Sequence, residues 1–325
     1  MDKIVRRIGI LTSGGDAPGM NAAIRAAVRT CLQRGITPVG IHRGYNGLIQ
    51  GDTFEMDARS VNGLSDRGGT ILYTARCKEF TTPEGVAQAV RTCKYAGIDG
   101  VIAIGGDGTF RGAQALSKYG VSVACVPGTI DNDIGCTDYT IGFDTAANTA
   151  VECIDKLRDT MHSHERCSVV EVMGRHAGFL ALYVGLAVGA TAVLVPETQY
   201  DFNAHVAEKI RRARLGGKTN FTIVVAEGAA SAVEVGQQIR ENVGLDPRVT
   251  ILGHIQRGGS PTAKDRVMAT RMGYEAVRSL AQGHTNRIIC AKNEQIVEVD
   301  INEGLAMTKT LNQEEFNVMT VMTGV

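Results

Sequence analysis

Short, continuously apolar runs recur along this chain, and most give way at once to a glycine-rich loop and then to a segment of helical period. The clearest strand-like runs are residues 7–11, 38–42, 100–104, 121–126, 168–172, 192–195, 221–226 and 249–252. Helical spacing of apolar residues marks 21–33, 82–94, 145–161, 204–213 and 265–281. A strand apolar on both faces must be covered on both, and helices between successive strands supply the cover. The alternation predicts an α/β fold with mostly parallel sheets. In such sheets ligands bind beyond the carboxyl ends of the strands, where the glycine loops fall. The order strand, glycine loop, helix occurs around residues 100–115 and again around 168–185, which predicts two related α/β lobes.

At 325 residues the chain has room for two domains of moderate size, and 44% hydrophobic residues are enough for real cores. Lys plus Arg number 34 and Asp plus Glu number 34, so the net charge is zero. That balance argues against nucleic acid or an anionic membrane as a partner, and any anionic ligand needs local basic clusters. Gly numbers 39, well above the usual share of ~7%. The 8 cysteines form no C-x-x-C pair and several lie in apolar runs, the usage of a reduced, cytoplasmic protein rather than of a disulfide framework or a zinc site. The charged start, residues 1–7, and the short apolar run after it do not make a signal peptide. Residues 178–196 carry no charge before Glu197, but glycines interrupt them; they read as a buried helix, 178–188, then a buried strand, 192–196.

Five strand-end loops carry candidate chemistry. Thr12-Ser-Gly-Gly-Asp-Ala-Pro-Gly-Met-Asn21 opens a helix, and its glycines let backbone N–H groups face an anion. It lacks the Gly-Lys-Ser/Thr ending of a Walker loop, and its third glycine is misplaced for the dinucleotide fingerprint. In Gly105-Gly-Asp-Gly-Thr109 a carboxylate between glycines suits a magnesium ion bridging phosphate oxygens. Pro127-Gly-Thr-Ile-Asp-Asn-Asp133 places two carboxylates at a strand mouth, fit to hold magnesium or to take a proton from a hydroxyl, although Asp and Asn are also ordinary turn residues. Met173-Gly-Arg-His-Ala-Gly178 and His254-Ile-Gln-Arg-Gly-Gly-Ser-Pro261 each set an Arg beside glycines, and its planar fork suits phosphate. His162-Ser-His-Glu165 has ligand-type side chains but no further cluster at ligand spacing, so it is not read as a metal site.

These stretches, in this order, resemble bacterial ATP-dependent 6-phosphofructokinases, and the likeness runs from residue 7 to about residue 283. The resemblance implies two Rossmann-like lobes: an ATP-binding lobe of residues 1–141 plus 255–305, and a sugar-phosphate-binding lobe of 142–254 plus 306–325. It implies that Gly15, Arg76, Cys77, Gly106, Asp107, Gly108 and Thr109 line the ATP site, with Asp107 on magnesium. Asp131 would be the base toward the sugar 1-hydroxyl, with Thr129 beside it and Arg175 meeting charge on the transferred phosphoryl group. Met173, Gly174, Glu227, His254 and Arg257 would hold fructose 6-phosphate, and Arg166 and Arg248 would reach its phosphate from a neighbouring subunit of a homotetramer. ATP is the expected donor, because pyrophosphate-using relatives tend to carry side chains where this chain has Gly108 and Gly128. A pyrophosphate-dependent enzyme and a catalytically silent nucleotide-sensing subunit are the alternatives.

The same resemblance assigns Arg25, Arg29, Arg158 and Lys218 to a site for ADP or phosphoenolpyruvate. There the chain departs from its relatives: Thr191 stands where they use a Glu, and a Lys-rich loop is reduced to Arg214-Leu-Gly-Gly-Lys218. The segment around Ala58 and Arg59 departs too, and a weakened or altered allosteric response is expected. Residues 304–325 match nothing informative.

Overall fold

The computed structural model describes residues 5–323; the first four residues of the charged start and the last two of the C-terminal stretch lie outside the described residues. In chain order the strands are β1 (Arg7–Ser13), β2 (Thr37–Ile41), β3 (Thr53–Glu55), β4 (Gly100–Gly105), β5 (Ser122–Pro127), β6 (Cys167–Val172), β7 (Ala192–Leu194), β8 (Phe221–Ala226), β9 (Arg248–Ile251), β10 (Arg287–Lys292) and β11 (Gln295–Asp300). The helices are α1 (Met20–Gln33), α2 (Tyr45–Gln50), α3 (Pro83–Tyr95), α4 (Asp107–Ser117), α5 (Phe143–Ser163), α6 (Phe179–Ala187), α7 (Glu208–Leu215), α8 (Ala232–Val243), α9 (Ala263–Ala281), α10 (Ile301–Ala306) and α11 (Gln313–Thr323). The described chain forms two compact units. One holds residues up to 129 with 134–144 and 257–309; the other holds 130–133, 145–256 and 310 onward.

The first unit is built on a seven-stranded sheet, among the described residues, of order β11-β10-β5-β4-β1-β2-β3. Its interior strands run parallel, with Ile10 of β1 opposite both Gly40 of β2 and Ile102 of β4. β4 reads Gly-Val-Ile-Ala-Ile-Gly and is buried throughout, as a strand covered on both faces must be. One face is covered by α1 and α9, which approach closely. A Cβ on Gly273 would lie 2.5 Å from the Ala23 carbonyl oxygen, so only glycine fits. The other face packs Phe80, Val86, Val90, Phe110 and Leu116 against β1, β4 and β5. α3 starts at a capping Thr82, whose hydroxyl accepts from the Gly85 N–H, followed by Pro83 at the first turn.

The second unit has a four-stranded parallel sheet, among the described residues, of order β7-β8-β6-β9. Its core joins Val169, Leu194, Ile223 and Val225 to Val206, Ile210, Val235 and Ile239. The uncharged run 178–196 divides into α6 and β7, and no helix among the described residues is long and apolar enough to cross a membrane.

Three features differ from the sequence reading. The edge strands β3 and β11 pair antiparallel with their neighbours, and with β10 they lay outside the expected set. β11 mixes apolar residues with polar and charged ones, as a half-covered edge strand does, and the apolar signal of β10 was confined to Ile288 through Ala291. β9 is an edge strand with Val249 and Ile251 exposed, so its apolar composition did not mean burial. The helix expected over 204–213 begins with a wider π turn, Asn203–Ala207, before α7.

Candidate active site

In the first unit, the loop after β1 is fastened on several sides. Thr12 donates its hydroxyl to the Tyr73 carbonyl at 2.8 Å, and Thr74 donates to the Gly14 carbonyl at 2.7 Å. Asn21 donates to the carbonyls of Arg67 and Gly68 and accepts from the Ile71 N–H, so the irregular segment 67–74 is tied to the start of α1. Gly19 at the head of α1 has φ 103, a left-handed conformation suited to glycine, and no side chain caps the helix. Arg257 reaches this loop. Its Nη2 lies 2.5 Å from Asp16 Oδ1, and a Cβ on Gly15 would meet that Nη2 at 2.8 Å. Of the expected nucleotide residues nearby, Arg76 is exposed and the half-buried Cys77 thiol faces Asn46 Oδ1 at 3.8 Å.

The loop after β4 brings its carboxylate to the first residue of α4. Asp107 is half-exposed and accepts from Arg111 Nε at 2.9 Å, one helical turn on. An acidic first-turn residue is also favoured by the helix dipole. A Cβ on Gly108 would meet nothing within 4 Å, so the space beside Asp107 is open. Thr109 is buried, and its hydroxyl donates to the Ser13 carbonyl at 2.9 Å. That bond joins the β1 and β4 loops; a Cβ on Gly105 would lie 2.3 Å from the same hydroxyl oxygen.

The chain leaving β5 is held at both ends of a long loop. Gly128 N–H donates to the Gly105 carbonyl at 2.9 Å, and Ile141 N–H donates to the Pro127 carbonyl at 3.0 Å. Thr140 donates its hydroxyl to the Thr129 carbonyl at 2.6 Å. Between these ties Asn132 turns with φ 51, a conformation Asn tolerates better than most residues, and Asp131 and Asp133 flank it half-buried. Gly128 is not beside open space. Its Cβ would meet Ile104 Cγ2 and Met20 Cε, each at 3.3 Å. Packing is therefore reason enough for glycine at 128, and the donor argument from residue size rests on Gly108.

The second unit assembles the loop after β6 around a carboxylate. Glu227 Oε1 accepts from the backbone N–H of Arg175 at 2.6 Å and of Gly174 at 3.2 Å. Arg175 has φ 57 and an exposed side chain, so the loop spends backbone strain to turn that guanidinium outward. Gln256 is fully buried, and its Oε1 accepts from the Met173 N–H at 2.9 Å. Its Nε2 is buried without a hydrogen-bond partner among the described residues. His254 is exposed in the short 3-10 turn Gly253–Arg257.

Arg248, exposed on β9, pairs with Asp246 at 3.4 Å, and Arg240 pairs with the same carboxylate at 2.9 Å. The Asp246 carboxyl is held below its usual range, first by the Arg240 hydrogen bond, then by the charges of Arg248, Arg240 and Arg166. Two guanidiniums thus pair with one carboxylate, and the charge of a third acts on it. Elsewhere in this unit, Arg158 donates to the Val188 carbonyl and lies near Lys218, whose ammonium is pushed below its usual range by burial and then by Arg158. Thr191 is buried, and its hydroxyl accepts from Thr222 N–H at 3.3 Å, so it offers no charge at that position. Arg25 and Arg29 belong to α1 of the first unit, where Arg29 donates to Asn62 Oδ1 at 3.0 Å.

Sequence reasoning passed over Asp16, Arg111 and Gln256. Each lies inside or one turn from a loop it had marked; Asp16 depends on a partner distant in the chain and Gln256 on burial, whereas the i,i+4 spacing of Arg111 to Asp107 could have been read from the sequence. Among the described residues no group of three His, Cys, Asp or Glu side chains is placed to hold a metal.

Comparison with known proteins places this arrangement. A family model described as Phosphofructokinase matches residues 7–280. The ATP-dependent 6-phosphofructokinase of Clostridium botulinum is 52% identical over 318 residues, covering 98% of this chain and 99% of that one. Among solved structures, Pichia pastoris phosphofructokinase in the T-state superposes with a TM-score of 0.88 at 35% identity, and the Saccharomyces cerevisiae phosphofructokinase with 0.86 at 34%. Those matches cover 99% and 98% of this chain but only 37% and 46% of the two longer yeast chains. The chain belongs to the phosphofructokinase family.

Proposed function

We propose that this chain transfers the γ-phosphoryl group of ATP to the 1-hydroxyl of fructose 6-phosphate, giving fructose 1,6-bisphosphate and ADP, a committed step of glycolysis in the cytoplasm. The observation that carries the reading is the full-length likeness to a relative bearing that activity in its name. Asp131 takes the proton of the 1-hydroxyl as its oxygen attacks the γ-phosphorus in line, and the bond to the ADP oxygen breaks. Thr129 lies beside that base, and Arg175 neutralises charge on the moving group. Gly15, Arg76, Cys77 and Gly106 to Thr109 form the ATP site. Thr109 acts through the bond to Ser13 that shapes the loop.

Asp107, a half-exposed carboxylate beside open space at Gly108, would hold magnesium. When bound, it neutralises phosphate charge. Met173, Gly174, Glu227, His254 and Arg257 hold the sugar phosphate, and Arg166 and Arg248 act on its phosphate in a neighbouring subunit of a homotetramer. The exposed apolar residues of β9 next to Arg248 support that subunit contact. Arg25, Arg29, Arg158 and Lys218 take an ADP or phosphoenolpyruvate effector weakly, because the Glu of relatives is here the buried Thr191.

A coupled assay of fructose 1,6-bisphosphate formation with ATP or pyrophosphate as donor tests the reading. Product is expected with ATP alone. Turnover driven by pyrophosphate overturns the donor, and none with either donor overturns the activity. In the same assay Asp131→Ser is expected to lower kcat by ~10²–10⁴-fold, the worth of a positioned base, while ATP binding persists.

A further inference from the structure

Cys136 and Cys290 lie 154 residues apart in sequence, yet their sulfurs are 3.4 Å apart in the core of the first unit. Both side chains are fully buried. The segments that carry them are in fixed register. Thr137 Oγ1 accepts from the Ala291 N–H at 2.9 Å, and the Asp138 N–H donates to the Ala291 carbonyl at 2.8 Å. Asp138 also accepts from the Asn293 N–H at 2.8 Å. Each thiol is thus next to a residue already hydrogen-bonded to the other strand. A disulfide needs sulfurs about 2.0 Å apart, so the two sulfurs must close from 3.4 Å.

We propose that Cys136 and Cys290 form an oxidation site that a peroxide converts to an intramolecular disulfide. The Cys136 thiolate attacks one peroxide oxygen, the O–O bond breaks, and hydroxide leaves, giving a sulfenic acid at Cys136. The Cys290 sulfur then attacks the Cys136 sulfur. The S–O bond breaks, and the departing hydroxide leaves as water with the Cys290 proton. Two thiols lose two electrons in all, and one peroxide becomes two waters. The Cys290 S–H donates to the Cys136 sulfur, which marks Cys136 as the attacking partner, and the step balances equally with the two thiols exchanged. Among the described residues no third ligand is placed to make the pair a metal site. Burial keeps the pair a dithiol in a reducing compartment and makes oxidation wait for local opening of the loop. Once formed, the bond clamps the segment five residues beyond Asp131 to β10.

The test uses the native full-length protein in a time course of hydrogen peroxide. Remaining thiols are alkylated after unfolding, and the digest is mapped by mass. A peptide joining residues 136 and 290 is expected, lighter than the two free peptides by about 2 Da and released by dithiothreitol. The thermal midpoint should rise by about 5 °C and return on reduction. Cys290→Ala should show neither change. The proposal is overturned if the partly exposed Cys77 and Cys153 oxidise while Cys136 and Cys290 both still take the alkylating agent, or if Cys136 proceeds to a sulfinic acid with no link. Should the variant not fold, peptide mapping of the unaltered chain decides alone.

Discussion

Arg257 Nη2 lies 2.5 Å from the Asp16 carboxylate, an ion pair that joins residues 241 positions apart in the chain. Arg257 is about a quarter exposed and Asp16 somewhat more, so screening keeps the contribution to stability small, under ~1 kcal/mol. The pair instead positions a guanidinium fork. Arg257→Ala should raise the KM for fructose 6-phosphate by ~10–100-fold, the worth of a charged hydrogen bond, with little change in thermal midpoint. Asp16→Asn should raise it less, because the fork remains but is less well held. Steady-state kinetics with thermal melts check both, and a large fall in stability with unchanged KM would assign the pair to folding.

Gly108 and Gly128 are predicted to respond oppositely to the same substitution. Gly108 has open space and lies in the first turn of α4, so Gly108→Ala should keep or slightly raise stability, by up to ~1 kcal/mol. It should still raise the KM for ATP, because the new methyl group enters the proposed donor site. Gly128→Ala sets a methyl 3.3 Å from Ile104 and Met20 and should cost about 1 kcal/mol through overpacking. Denaturant melts of the two variants, with donor titrations, separate packing from substrate room.

Glu227 determines how Arg175 is presented. Glu227→Ala removes the acceptor for the Gly174 and Arg175 N–H groups, in a loop where Arg175 already has φ 57. Relaxation of that loop should lower kcat by at least ~10-fold, as expected when a catalytic group is misplaced. Glu227→Gln keeps an acceptor oxygen and should recover part of the kcat. Equal loss in both variants would point to a direct need for the carboxylate's charge.

Tyr139 donates to the buried Asp265 at 2.5 Å and is pushed far above the usual phenol range, first by burial and then by the Asp265 charge. A raised folded-state value means that the unfolded chain releases this proton first. The stabilisation is complete below the ordinary tyrosine value of about 10 and declines above it, by up to ~1.4 kcal/mol per pH unit. Tyr45 adds a slope of the same sign. Urea unfolding between about pH 8 and pH 11 should show a shallower alkaline decline for Tyr139→Phe than for the unaltered chain. Its stability at neutral pH should be lower, because Asp265 loses a donor. An unchanged alkaline slope would remove Tyr139 as a cause.

The parallel α/β plan and the five strand-end loops were legible because their causes are local. An apolar run such as Val101 to Ile104 must be covered on both faces, and the glycines after it end the strand whatever lies elsewhere. The uncharged stretch 178–196 was separable into helix and strand for the same reason. β3 and β11 were less legible because half-covered edge strands carry mixed polarity, and β9 was misread as buried because composition does not say which strand is last in a sheet.

Contacts between distant segments could not be read that way. The chain shows Arg257, Asp16, Glu227, Arg175, Gln256, Cys136 and Cys290 as residue types in particular loops. That Arg257 meets Asp16, that Glu227 takes the Arg175 amide, and that two of eight cysteines touch follow from the folded path alone. The same holds for the two glycines. In sequence Gly108 and Gly128 are equivalent, but one opens toward solvent and the other toward Ile104 and Met20, because α4 turns outward where β5 runs through the core. Periodicity is set by neighbours in the chain and can be read there, whereas pairing is set by which strands become adjacent in the sheet.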